Sequence, residues 1–283
     1  TRSEPGRLRL AAFPDEDFAM RRIIFAIALL FAAFPVFARM QAKPVDWMLD
    51  GKAFSGFLVY DDATSAKRPG VLMVPDWKGV GDNAVAKAEH IAGRDYVVLL
   101  ADVYGKGVRP KTDGEAMAQV KDLYADRNVL RARANKALEV LRAQAANAPI
   151  DLREIGAVGY CFGGATVLEL ARSGADLAAV VTFHGALDTT RPAARGNFKP
   201  SLLVLNGADD SYVAKDVPAF KKEMTDAGVD WQFVDFSGAV HCFALPEAHS
   251  PPGCVYNERA MRRGERMMRV FFAERFGYAL AKK

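Results

Sequence analysis

The segment Gly159-Tyr160-Cys161-Phe162-Gly163-Gly164 sets a nucleophile between glycines. An apolar run, Ile155 to Val158, precedes it, and a helical pattern opens near Ala165. Strand, glycine, nucleophile, glycine, helix is the order of a nucleophile elbow, G-x-S-x-G, with cysteine in the serine position. The glycines flank a residue held in strained φ/ψ on a turn too tight for larger neighbours. A strand-to-helix turn around a buried structural cysteine would share this local pattern, because free cysteine also behaves as a small hydrophobe.

A thiol with an ordinary pKa of about 8.5 needs a base to take or hold its proton near neutral pH. Elbow chemistry further needs an acid and a histidine later in the chain, in the order nucleophile, acid, histidine. Both occur after apolar runs. Gly207-Ala208-Asp209-Asp210 follows Ser201–Asn206, and Ser237-Gly238-Ala239-Val240-His241 follows Trp231–Phe236. Of the four histidines, His241 comes soonest after the last strand-like run. Asp210 is assigned as the acid that holds the imidazole tautomer and stabilises the imidazolium. Asp209 is its rival, read as a turn or capping residue. An oxyanion formed on an attacked carbonyl needs preorganised donors. The N–H of Phe162 and that of Trp77, in the loop after Val71–Pro75, are the candidates.

Alternating strands and helices must position these groups. Strands are predicted at Ala53–Tyr60, Val71–Pro75, Tyr96–Ala101, Ile155–Tyr160, Ala178–Phe183, Ser201–Asn206 and Trp231–Phe236. Helices are predicted at Asn83–Ala92, Gly114–Leu123, Val129–Ala146, Ala165–Ser173, Ala214–Ala227 and Glu258–Phe276. Continuously apolar runs such as Leu202-Leu203-Val204-Leu205 suit strands buried on both faces. The class is therefore α/β, a mostly parallel sheet wrapped by helices, with function at the carboxyl ends of its strands.

The chain has 283 residues, 51% hydrophobic and 25% charged, with a net charge of +4. That suits one large domain, and no basic face or motif suggests nucleic acid binding. Met20-Arg21-Arg22 precedes an apolar run that ends in Val36-Phe37-Ala38. A basic start, a short apolar stretch and small residues at −3 and −1 are the marks of a secretory signal peptide cleaved after Ala38. Residues 1–19 read as an upstream extension, with Met20 the expected start. Residues 39–283 are then the exported domain, periplasmic or secreted, with no stable membrane anchor after cleavage. In such a compartment Cys242 and Cys254 are a candidate disulfide, although spacing alone leaves two free thiols open.

Several spaced segments agree with one family: Pro75-Asp76-Trp77-Lys78-Gly79, Leu99-Leu100-Ala101-Asp102-Val103-Tyr104-Gly105, the elbow, Gly207-x-x-Asp210 and His241-Cys242-Phe243. From about Trp47 to Phe276 the chain resembles the dienelactone hydrolase family. The resemblance implies an α/β-hydrolase fold of about eight strands with Cys161, His241 and Asp210 as its triad. It also implies an acid before the oxyanion-hole residue that helps activate the thiol. Asp76 stands there, one methylene shorter than the family's glutamate. The resemblance further implies arginines that clasp an anionic substrate, one of them four residues past the histidine. Leu245 occupies that position, so a less anionic ester or lactone is expected.

His184 and Tyr160 are candidate pocket residues. No metal and no cofactor is expected: no local His/Cys/Asp spacing marks a metal site, and the glycines at 159–164 lack the lysine and hydroxyl of a phosphate loop. The expected partner is a small-molecule ester or lactone; oligomeric state is left open, a monomer being sufficient. The rivals are acyl transfer or peptide cleavage by the same triad, or a ligand-binding protein with little turnover. A thiol-redox role lacks a Cys-x-x-Cys.

Overall fold

The apolar runs become the inner strands of an eight-stranded sheet. The computed structural model describes Thr1 and residues 39–277, and Arg39–Lys283 forms one compact unit. The predicted signal peptide at 20–38 and the extension before it lie outside the described residues. No helix of the described residues is long and apolar enough to cross a membrane.

The strands are β1 (Met40–Leu49), β2 (Lys52–Asp61), β3 (Arg68–Val74), β4 (Val97–Leu100), β5 (Ile150–Tyr160), β6 (Ala179–Phe183), β7 (Ser201–Gly207) and β8 (Trp231–Phe236). Their order across the sheet is β1-β2-β4-β3-β5-β6-β7-β8. β1 and β2 form an antiparallel hairpin and β2 runs antiparallel to β4; every other pairing is parallel. This is the α/β-hydrolase arrangement. Two short strands, β9 (His249–Ser250) and β10 (Cys254–Val255), pair with each other after β8.

Among the described residues six helices cover the sheet: α1 (Asp82–Ala92), α2 (Asp113–Ala125), α3 (Arg127–Ala143), α4 (Phe162–Arg172), α5 (Val217–Ala227) and α6 (Glu258–Phe276). Residues alternate between faces along each strand. Leu72 and Val74 therefore pack into the core layer under α2 to α5, and Val71 and Met73 into the layer under α1 and α6.

β3 and β5 begin earlier than expected, at Arg68 and Ile150, the pair β9 and β10 was not expected, and three further elements also differ. β1 was not predicted, because it is an edge strand with a half-exposed, irregular pattern and a proline, Pro44, which an edge tolerates. α4 starts at Phe162 and not near Ala165, since the glycine pair 163–164 sits inside its first turn. α5 starts at Val217 and not Ala214, because the chain from Asp210 to Asp216 is taken up by turns.

A charged network anchors α4 behind the elbow. Glu169, fully buried, accepts from Arg131 at 2.7 Å and from Arg172 at 3.1 Å. Arg172 also donates to both carboxylate oxygens of Glu223 on α5 at 2.9 Å. Buried charges are tolerated only with this degree of pairing.

Candidate active site

β5 delivers the chain into a turn whose shape only glycine neighbours allow. Cys161 has φ 52° and ψ −117°, and α4 begins at the next residue. A Cβ on Gly159 would lie 2.0 Å from the carbonyl oxygen of Gly163. A Cβ on Gly163 would lie 2.1 Å from the carbonyl oxygen of Val74 and 2.4 Å from that of Pro75. Backbone cannot yield to such overlaps, so both glycines are required for the turn and for its approach to β3. Four non-glycine residues among those described have positive φ: Asp50, Cys161, His184 and Cys242. The last three converge on one site, where strained backbone most often serves function.

The parallel strands bring the chemistry together at their carboxyl ends. Cys161 Sγ lies 3.2 Å from His241 Nε2, and His241 Nδ1 lies 2.7 Å from Asp210 Oδ2. Asp210 is buried and its other oxygen, Oδ1, accepts from the Tyr212 N–H at 3.0 Å, which fixes the carboxylate plane. Asp209, the rival acid, is exposed and donates its N–H to the Ala239 carbonyl. Burial of His241 opposes its charged form. The hydrogen bond to Asp210 and the contact with Cys161 outweigh that and push its pKa up to about 10.

The N–H groups of Phe162 and Trp77 find no acceptor among the described residues, and Phe162 is the first residue of α4, where the helix dipole favours negative charge. Tyr104 holds the two segments together. Its ring packs on Phe162 at 5.4 Å between centroids, and its hydroxyl donates to the Trp77 carbonyl at 3.0 Å.

Residues 54–276 match the dienelactone hydrolase family. The chain belongs to the dienelactone hydrolase family. Its fold superposes with a TM-score of 0.79 on the protein m3DLH, at 35% identity over 84% of this chain and 99% of that one. A dienelactone hydrolase-like promiscuous phosphotriesterase, P91, from metagenomic libraries is 36% identical, with a TM-score of 0.78 over 84% of this chain and 99% of that one. An uncharacterized Caenorhabditis elegans protein is 32% identical over 158 residues, 54% of this chain and 98% of that protein.

Measured against the dienelactone hydrolase resemblance, Asp76 and Leu245 mark the departures. No hydrogen bond joins Asp76 to Cys161 among the described residues. The shorter side chain folds back instead, and its Oδ1 accepts from the Lys78 N–H at 2.8 Å. Burial raises the Asp76 carboxyl above its ordinary range, against the pull of that N–H. Leu245 is buried in the core layer under α1 and α6.

The two pocket candidates separate. Tyr160 stacks on Phe183 at 4.7 Å and lies under Lys87 Nζ at 4.5 Å. It lines a cavity of about 320 Å³ with residues of α1 and α6. His184, in contrast, stands edge-on to His241 with ring centroids 5.3 Å apart. Burial, then the neighbouring His241 and Lys87, hold its pKa well below the ordinary value. The ligating atoms of Cys161, His184 and His241 all lie within 4.8 Å of one another. No local spacing announces this trio, because each member comes from a different strand end. Tyr212 and Tyr124 were also missed. The first meets His241 edge-on at 5.3 Å and is 61% exposed; the second packs on Phe162 at 5.7 Å. Neither had a sequence signal beyond its residue type.

The histidine loop is held by more than its hydrogen bonds. Cys242, next to His241, is bonded to Cys254. His241 also bridges to Cys254 in the backbone, with the Val255 N–H donating to its carbonyl at 3.1 Å. Lys87 Nζ donates to the Ala244 carbonyl at 2.8 Å. Cys242→Ser/Cys254→Ser is expected to lose about 3 kcal/mol of stability, the entropy of a closed loop of this size. It should lower kcat more than it raises KM, since the loop carries His241. Thermal melting and steady-state kinetics check both; an unchanged midpoint would show that the bond contributes nothing to the fold.

Proposed function

We propose that this chain hydrolyses carboxylic esters or lactones through a covalent acyl-thioenzyme on Cys161. The observation that carries the reading is the unbroken relay from Sγ through the imidazole to a buried carboxylate, at 3.2 and 2.7 Å. Membership of a hydrolase family supports it.

In this mechanism the Cys161 thiolate, paired with the His241 imidazolium, attacks the carbonyl carbon. The negative charge that develops on oxygen is received by the Phe162 and Trp77 N–H groups. His241 Nε2 gives its proton to the leaving alkoxide as the carbon–oxygen bond breaks. The neutral imidazole then takes a proton from water, whose oxygen attacks the thioester, and Cys161 departs as thiolate with the acid product. Asp210 keeps Nδ1–H oriented throughout. Leu245, buried in the core layer, leaves no cation at the position where the family resemblance implies a carboxylate-clasping arginine, which supports a less anionic substrate. Asp76 shapes the oxyanion loop through the turn it makes with the Lys78 N–H. The signal-like segment at 20–38 supports work outside the cytoplasm.

The resemblance to P91, itself a promiscuous phosphotriesterase, supports a second substrate class. Neutral phosphotriesters present a phosphorus to the same thiolate.

Rapid quenching with a panel of nitrophenyl esters, neutral lactones and phosphotriesters, followed by intact-mass and peptide analysis, tests the reading. The expected result is an acyl adduct on the Cys161 peptide that forms in a burst and decays with turnover. Turnover without any adduct, or an adduct elsewhere, would overturn it.

A further inference from the structure

We propose that Cys161, His184 and His241 form a reversible site for a borderline-soft divalent metal, Zn²⁺ above all, that closes off the Cys161 sulfur when filled.

His184 is the residue that demands an explanation. It is 1% exposed, and neither of its ring nitrogens has a hydrogen-bond partner on another of the described residues. Buried polar atoms are nearly always satisfied, and an orphan in a native fold calls for a ligand, an ion or a water. Its backbone is strained, with φ 40°, and is pinned by its N–H donating to the Leu205 carbonyl at 2.8 Å. Packing against Phe243, with ring centroids 5.0 Å apart and nearly perpendicular, holds the ring next to His241. The relay described above makes no use of this imidazole.

The donor set and geometry fit zinc. Zn²⁺ takes thiolate at about 2.3 Å and imidazole nitrogen at about 2.0–2.1 Å, usually tetrahedrally. Those lengths put ligand atoms roughly 3.3–3.6 Å apart around the ion. Sγ and Nε2 already stand at 3.2 Å, and all three ligand atoms fall within 4.8 Å, so modest side-chain rotation completes three corners. The fourth corner is left for water. Asp210 on Nδ1 of His241 supplies the carboxylate that orients a metal-bound histidine in many zinc sites. Hard ions such as Mg²⁺ and Ca²⁺ prefer oxygen donors and are poorly matched. On binding, the sulfur and two imidazole nitrogens each give a lone pair to the metal. The proton shared by Sγ and Nε2 leaves to solvent. The thiolate pair is then committed to the metal and no longer free to attack. Metal binding itself does not depend on the hydrolase reading; only its effect on ester turnover does.

Metal-free full chain titrated with Co²⁺, a spectroscopic stand-in for Zn²⁺, tests the site without reference to turnover. The expected result is a thiolate-to-cobalt band and tetrahedral visible bands saturating at one metal per chain, displaced by Zn²⁺. Zn²⁺ should also slow alkylation of Cys161 by iodoacetamide. Cys161→Ala should lose the charge-transfer band. His184→Phe, which keeps a ring against Phe243, should weaken Zn²⁺ at least about tenfold; His184→Gln serves if the phenylalanine variant fails to fold. Absence of the band, unchanged Zn²⁺ affinity in the folded His184 variant, or alkylation unaffected by saturating Zn²⁺ would each overturn the proposal. Chain that turns over no ester yet gives the cobalt spectrum and metal protection would sink the hydrolase reading and leave the metal site standing.

Discussion

Cys161→Ala is expected to lower kcat for activated esters by at least about 10⁴-fold, the scale on which loss of a nucleophile acts in a cooperating triad. Whatever turnover remains would come from the oxyanion donors and binding alone. Folding should survive, because alanine keeps the Cβ at the elbow and removes only one half-buried sulfur. The thermal midpoint is therefore expected to move little while activity collapses. Cys161→Ser sharpens the test. A hydroxyl is far less acidic than a thiol, so it cannot hold a charge-separated pair with His241 in the ground state, and the imidazole must work as a base instead. The serine variant should recover little of the lost rate. Full activity in the alanine variant would move the nucleophile away from the elbow; full activity in the serine variant would show that the charge-separated pair is not required.

Asp210→Asn carries the second large effect, an expected drop of about 10²–10⁴ in kcat, with a shift in the pH profile that a merely structural aspartate would not produce. His241 in the folded chain titrates near 10, above the ordinary 6.5. The sign follows from that direction. The imidazolium is the favoured form in the fold, so its contribution to stability is complete below about pH 6.5 and is lost as pH rises through about 10. The alkaline limb of kcat/KM should fall near pH 10 for the same reason. With Asp210 neutralised, burial, which opposes the charge, gains the upper hand. The alkaline limb should move to lower pH, and the stability lost between pH 6.5 and 10 should shrink. A variant with reduced kcat but an unmoved alkaline limb would show that Asp210 does not set the charge on His241.

Both tests concern residues that were legible in the chain, and the reason is physical. An elbow needs particular residues within six positions, and a parallel sheet needs long apolar runs, so β3, β5 and β7 announce themselves together with Cys161. Asp210 and His241 were legible because each follows such a run by a few residues. What was hidden depended on contacts across the fold. His184 is a candidate pocket residue in the sequence, but its place beside Cys161 and His241 emerges only when β5 and β6 pair in parallel. Glu169 and Arg172 carried no signal of their buried network, which forms because Arg131 and Glu223 arrive from α3 and α5. β1 was missed despite a usable clue. Asp50-Gly51, both at positive φ, is a two-residue hairpin signal, and Leu49 and Lys52 pair across it. The contact of Asp76 was the least legible, because one methylene decides whether a carboxylate reaches a sulfur or turns back on its own loop.

The close approach of Gly163 to the Val74 and Pro75 carbonyls has an evolutionary meaning. The two N–H groups proposed to receive the oxyanion lie on segments where main chain touches main chain at Gly163 and which Tyr104 bridges. Drift in side chains other than Tyr104 therefore leaves the spacing of this proposed charge receptor alone. Tyr212, exposed beside His241, can then be exchanged as a lineage meets new compounds while the glycine contacts stay fixed. Diversification of such a scaffold should be recorded around the rim, and Gly163 should be the position at which it stops.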